Sequence, residues 1–357
     1  MSLFKHSLVY GAMRLIAAAL KTPVANRVCP LRYTAPDYSF KVACFFFMSP
    51  APDKNRDRRL SAPISLQRVR QLFSDPEGCA GSQFLRREIA GRMFERLSLI
   101  KIHPLQVLDA GCGEGDDLAA LAQAFPGAGM LGIDASSAML GLAHERNVQS
   151  RSRVKALLRR WLARAQTGQL PSLACADFGA NPLAAASMDL LWSNLALHWH
   201  PQPHQVLNEW ARVLRVNGLL MFSAFGPDTF AELRDAYLAT GEPPPLLPFV
   251  DLHDYGDMML ESGFADPVMD MEKLNITYSS AASLLSDVRS FGGNPLQGRR
   301  TGLTGRRRYQ ALLNALESRK DADSRISLTV EVVYGHAFKP LPRKTRDGES
   351  IIYFREW

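Results

Sequence analysis

The apolar runs of this chain are too short to cross a bilayer: Leu15–Leu20 is one example, against the roughly 20 residues that a spanning helix takes. No membrane partner follows from the sequence. Its five cysteines, Cys29, Cys44, Cys79, Cys112 and Cys175, are odd in number and scattered, with no CxxC pair and no Cys/His cluster. That argues against both a disulfide framework and a zinc site, and it fits a reducing compartment. Zinc-finger and RNP signatures and long lysine runs are missing too, so the net charge of +7 does not point to nucleic acid. It suits an acidic protein partner or a carboxylated substrate as well. No internal repeat is visible.

The first 36 residues lack acids altogether, while Lys5, Arg14, Lys21, Arg27 and Arg32 make them basic. Transit peptides share that composition, which would make the location mitochondrial. The competing expectation is a natural start at Met48 and a cytoplasmic protein. Val42–Phe47 matches no recognisable element and favours that start. Residues 1–63 are therefore expected to be disordered or foreign to the fold.

What is present is an alternation of strands and helices. Residues 64–100 carry apolar side chains at helical spacing, among them Phe84, Leu85, Ile89, Met93, Phe94 and Leu97, and predict N-terminal helices interrupted at Asp75–Gly81. A core over 101–280 begins with strand Gln106–Asp109 and helix Asp116–Phe125. Strand Met130–Asp134 and a helix from Ser136 or Ser137 to about Asn147 follow. A basic helical stretch over 148–170 has Val154, Leu157, Leu158, Trp161 and Leu162 as its stripe. Strands Leu173–Phe178 and Met188–Asn194, a helix over Pro203–Leu214, an Asn217-Gly218 turn and strand Leu219–Ala224 complete the alternation. Such an order implies a mostly parallel sheet covered on both faces. Two late β-rich runs, Val268–Tyr278 and Leu328–Phe338, enclose a basic helical insertion over 281–326. They predict an antiparallel edge carrying a lid, with the last strand and a flexible tail over 327–357.

The chemistry gathers at strand ends. Asp109-Ala-Gly-Cys-Gly-Glu-Gly115 is a glycine loop between a strand and a helix, where the backbone can turn sharply and approach a ligand. Asp116 stands where a dinucleotide fingerprint needs its third glycine. With Asp117 it places two carboxylates where a pyrophosphate would sit, so a cofactor without phosphate is expected. Asp134 can accept from both hydroxyls of a ribose. Asp177-Phe178 offers an acceptor for an exocyclic amine and a ring to pack on a purine.

These motifs, in this order over about residues 105–225, resemble class I S-adenosylmethionine methyltransferases. Ser193-Asn-Leu-Ala-Leu-His-Trp199, Phe225-Gly-Pro-Asp-Thr229, Asn294-Pro-Leu, Gly302–Arg307 and Val332–Ala337 narrow the resemblance to the malonyl-acyl-carrier-protein O-methyltransferases of biotin synthesis. The resemblance implies a Rossmann-like α/β fold with a seven-stranded sheet. It assigns S-adenosyl-L-methionine to Asp109, Gly111, Gly113, Gly115, Asp134, Ala135, Met139, Asp177, Phe178 and Ser193. Asn194, His198, Trp199, Arg299 and Arg300 would position the acceptor, the free carboxylate of malonyl-acyl carrier protein or malonyl-CoA. That carboxylate is already ionised and needs no general base, so His198 is expected to pack beside it. Methyltransferase-like assembly factors of mitochondrial complex I share much of the pattern, which leaves arginine hydroxylation or a non-catalytic assembly role as alternatives. Members of the family usually carry a tyrosine near the donor methyl group, and Phe73–Phe84 contains none. From Ser286 to Lys320 eight cations face two acids, and Arg306, Arg307 and Arg308 are the expected docking patch for an acidic carrier protein.

Overall fold

The computed structural model describes residues 29–35, 38–44, 63–158, 171–299, 302 and 305–342. Arg300, Trp161, Leu162 and the expected start at Met48 lie outside the described residues.

Seven strands form the sheet that the alternation predicts: β3 (Gln106–Ala110), β4 (Gly129–Asp134), β5 (Ser172–Cys175), β6 (Met188–Ser193), β7 (Leu214–Phe225), β8 (Ala265–Tyr278) and β9 (Ile326–Phe338). Their order is β5-β4-β3-β6-β7-β9-β8, with the first five parallel and β9 antiparallel to both β7 and β8. A hairpin, β1 (Cys29–Ala35) and β2 (Tyr38–Cys44), extends the sheet to nine strands and meets β5 through one register pair, Cys44 with Cys175. Val42–Cys44, expected to match no element, thus belong to β2, and residues 45–47 lie outside the described residues. Tyr38, Phe40, Val42 and Cys44 recur at every second residue, and that alternation favours an extended chain.

Ten helices complete the described fold: α1 (Leu66–Leu72), α2 (Pro76–Cys79), α3 (Gln83–Ser98), α4 (Asp116–Ala124), α5 (Ser137–Leu158), α6 (Pro203–Val213), α7 (Ala231–Ala239), α8 (Leu252–Glu261), α9 (Ala281–Ser290) and α10 (Arg306–Glu317). α5 is one continuous helix of 22 residues where two were expected, because nothing near Asn147 breaks the pattern. Between Met188↔Leu214 and Leu190↔Leu219 the β6–β7 register shifts, an irregularity within β7. The expected Asn217-Gly218 turn falls there, with Asn217 at φ +62° and both residues bonded to the Lys339 backbone.

Side chains on the parallel strands alternate between two apolar layers. Val107, Leu190 and Trp192 pack into one, and Leu108, Leu191 and Leu220 into the other. With both faces covered, the exposed functional edge is the carboxyl end of the strands. The chain runs from β3 toward β4 and β5 on one side and toward β6 and β7 on the other. Open α/β sheets bind ligands at such a reversal.

Candidate active site

A cavity of about 140 Å³ lies at that reversal. Asp109, Gly111, Gly113, Asp134, Ala135, Met139 and Phe178 line it, together with Asn194, His198 and Trp199. Gly115, Asp177 and Ser193 do not. Ser193 is buried and its hydroxyl donates to the Ala110 carbonyl at 2.8 Å, tying β6 to β3. Gly115 is the left-handed residue that starts α4.

The glycine loop is shaped by two requirements. At Gly111, with φ +82°, a Cβ would stand 2.3 Å from the Ala196 Cβ. At Gly113, with φ +50°, nothing lies within 4 Å of the Cβ position, which leaves room for a ligand. The Gly113 N–H donates to Asp134 Oδ2 at 2.9 Å, and the Ser136 N–H to Oδ1 at 2.7 Å. Asp134 is thereby aimed, and each oxygen keeps a further lone pair.

The electrostatics suit a cofactor rich in donors. Burial, with Asp117 and Asp134 as like-charged neighbours, holds the Asp109 carboxyl well above the usual carboxylate range. Asp109 Oδ2 has no hydrogen-bond partner among the described residues. Burial also lifts Asp117 to about 6, against the lowering effect of bonds from Trp192 and Asn194. The Trp192 Nε1–H donates to Asp117 Oδ2 at 2.8 Å. Arg86 and Arg87 line the cavity but are paired with Glu114 at 3.1 Å and Asp116 at 3.4 Å. The cavity therefore offers carboxylates to hydroxyls, an amine and an ammonium group, and no free cation cluster for phosphate. Hydroxyls, an exocyclic amine and an ammonium are the polar donors of S-adenosylmethionine, and the orphaned Asp109 oxygen and the open space at Gly113 fit it.

A cover that the motifs do not announce closes this cavity. Val69, Arg70 and Phe73, from α1 and its C-terminal end, line it. The Ser136 hydroxyl donates to the Phe73 carbonyl at 2.8 Å, and the Phe73 ring meets Trp199 edge-on at 5.4 Å. An aromatic residue thus covers the site despite the missing tyrosine. Phe73, at the end of a short helix, carries no motif that could have revealed it.

Trp199, Phe225 and Phe291 also wall a second cavity of about 530 Å³. Phe230, Leu233, Leu285, Phe249 and Leu312 make it apolar, while Arg289, Arg299 and Arg308 contribute cations. Arg308 pairs with Glu242 at 2.9 Å. Of the expected acceptor residues, Trp199 faces both cavities, His198 the first and Arg299 the second. Asn194 has its amide engaged: Nδ2 donates to the Arg86 carbonyl at 3.0 Å and Oδ1 accepts from the Ser223 hydroxyl at 2.9 Å. Arg289 is one of the insertion's eight cations, whereas Phe291 carries no motif of its own and only the folding-back of the insertion brings it to the site.

Among the described residues no helix is long and apolar enough to cross a membrane, and no group of His, Cys, Asp and Glu could hold a metal ion.

The methyltransferase-domain family matches residues 108–222. A malonyl-[acyl-carrier protein] O-methyltransferase from Gallionella capsiferriformans is 42% identical over 293 residues, covering 81% of this chain and 96% of that protein. One of the same name from Laribacter hongkongensis is 41% identical over 274 residues, covering 76% and 89%. The solved structure of YcgJ from Bacillus subtilis is similar with a TM-score of 0.48 at 15% identity, over 72% of this chain and 100% of that one. The chain belongs to the malonyl-[acyl-carrier protein] O-methyltransferase family of S-adenosylmethionine-dependent methyltransferases.

Proposed function

We propose that the protein methylates the free carboxylate of a malonyl thioester carried on acyl carrier protein, an early step of biotin synthesis. The observation that carries this reading is the shared wall of Trp199, Phe225 and Phe291 between a cavity lined by carboxylates and a larger apolar one. When bound, S-adenosylmethionine supplies a methyl group on a positively charged sulfur. Asp134 would accept from the ribose hydroxyls and Asp109 from the ammonium group, with Phe178 and Met139 against the adenine. Asp177 would accept from the adenine amine at the rim of the site.

A malonyl carboxyl has a pKa of about 4 and is ionised at neutral pH. What the protein must do is hold one oxygen in line with the methyl group in an aromatic enclosure that strips water from the anion. The second cavity provides that enclosure, with Arg299 available to the anionic parts of the acceptor.

The start of α10 supports carrier docking. Arg306, Arg307 and Arg308 occupy its first turn, which has no acid. Cations there oppose the helix dipole, at about 0.3–1 kcal/mol each. Arg308 pairs with Glu242, and an acidic carrier with a phosphopantetheine phosphate would suit Arg306 and Arg307 beside it. We place the reaction in the cytoplasm. The relatives are bacterial enzymes, which does not favour a mitochondrial transit peptide or the assembly-factor alternative.

The test is to incubate the protein with S-adenosylmethionine and malonyl-acyl carrier protein and weigh the product. The expected result is a gain of one methyl group that alkaline hydrolysis removes. Rescue of a biotin auxotroph is the cellular counterpart. An unmodified carrier would refute the reading.

A further inference from the structure

His198 is buried beside the wall that the two cavities share. Trp199, Phe225 and Phe249 enclose its ring, with centroids 5.0, 4.6 and 5.6 Å away. The Phe225 backbone N–H donates to His198 Nδ1 at 3.4 Å. A neutral imidazole carries one hydrogen, and a ring whose Nδ1 accepts must carry it on Nε2. That Nε2 is buried and has no partner among the described residues. Leaving a buried donor unpaired costs about 1–3 kcal/mol. Asp109 and His198 are the two residues, among those described, that both line the cofactor cavity and hold a buried side-chain atom without a partner. One of those atoms is an acceptor that suits the cofactor's ammonium group, and the other is a donor.

We infer that His198 is a fixed hydrogen-bond donor to the acceptor, its Nε2–H binding the carboxylate oxygen that is not methylated, so that the site takes only acceptors that arrive already ionised. This rests on the function proposed above and gives its acceptor site a chemical rule. Burial drives the imidazole down to about 3, with no charged group contributing, so the ring is neutral at physiological pH. Its hydrogen already sits on the nitrogen that a base would need free. The other acids lining the cavity are engaged: Asp117 by Trp192, Asp134 by two backbone N–H groups, Asp116 by Arg146, and Glu114 by Arg86. An alcohol or amine acceptor must lose a proton, and the His198 ring, with its hydrogen on Nε2, is not in a form to take it. With a carboxylate, a lone pair on oxygen forms the O–CH₃ bond while the S–CH₃ bond breaks and its electron pair stays on sulfur. No proton moves.

Two measurements test this. In protein labelled with ¹⁵N in histidine, the His198 ring should show the neutral Nε2–H form across neutral pH. Its Nε2 signal should shift when malonyl-acyl carrier protein is added with S-adenosylhomocysteine. Hydrogen on Nδ1, a charged ring, or no shift overturns the inference. In steady-state kinetics, His198→Phe should raise KM for malonyl-acyl carrier protein about tenfold or more, the loss of about 1.4 kcal/mol, and by a larger factor than the Kd for cofactor. His198→Gln, whose amide can donate, should recover most of that loss. A glutamine variant that binds cofactor yet is no better than phenylalanine refutes the donor role. Asp109, Asp117 and Asp134 set any acid limb of the rate, so wild type and His198→Gln should share one pH profile. A limb lost in His198→Gln would make His198 a base. Should wild-type protein form no methyl ester, the function reading fails by itself, and the NMR measurement still decides the tautomer.

Discussion

Arg70 Nη2 stands 3.3 Å from Asp177 Oδ2 and ties α1 to the chain just beyond β5. The cover helix is therefore latched to the carboxylate proposed above to accept from the adenine amine. An ion pair of this exposure contributes no more than about 1 kcal/mol. Arg70→Ala should leave the melting temperature nearly unchanged and speed cofactor dissociation several-fold, as read by stopped-flow fluorescence. An unchanged dissociation rate would mean that the latch has no part in retention.

Asp109 makes cofactor binding sensitive to pH. Its carboxyl is held well above the ordinary range, and an incoming ammonium group would favour its charged form. Affinity should therefore weaken as pH falls, and binding should release protons. Calorimetry in buffers of different ionisation enthalpy measures that release. Asp109→Asn should abolish it and weaken binding at least tenfold.

The loop glycines should differ in what they cost. Gly111→Ala forces a Cβ to 2.3 Å from Ala196, and strain of this kind costs about 1–3 kcal/mol of stability. Gly113→Ala meets only open space, so its stability loss should be smaller, and its main effect should be loss of cofactor affinity. Thermal melts with and without cofactor separate the two.

His198 should make the fold acid-sensitive. Its folded value of about 3 lies below the ordinary 6.5, so the unfolded chain binds the extra proton between them. Stability from this residue is full above about 6.5 and is lost as pH falls toward 3, by on the order of a few kcal/mol. Denaturant unfolding of His198→Phe should show a shallower decline over that interval than wild type.

Changing Arg306, Arg307 and Arg308 together to Ala should raise KM for malonyl-acyl carrier protein and reduce its dependence on salt. Cofactor affinity should stay the same, because none of the three lines the cofactor cavity. An unchanged KM would remove the docking role.

Much of the cofactor side is legible from local pattern. Asp109, Gly111, Gly113 and Asp134 act within a few residues of a strand end, and spacing along the chain is enough to place them. Ser193 shows the limit of that reading. It follows a strand like the others, yet its hydroxyl turns inward to the Ala110 carbonyl. Asn194 is similar, since partners from β7 and α3 consume its amide.

By itself the sequence determined the parallel core, the class of cofactor and the basic insertion, because periodicity, turn chemistry and charge act over short stretches of chain. Tertiary structure alone decided which aromatic rings meet. Phe73, Trp199, Phe225 and Phe291 come from four distant segments, and packing between them shapes the two cavities. It also decided the state of His198. In the sequence that residue is a titratable imidazole beside a tryptophan. Burial and one backbone N–H make it a neutral donor, and both come from chain that only folding brings near.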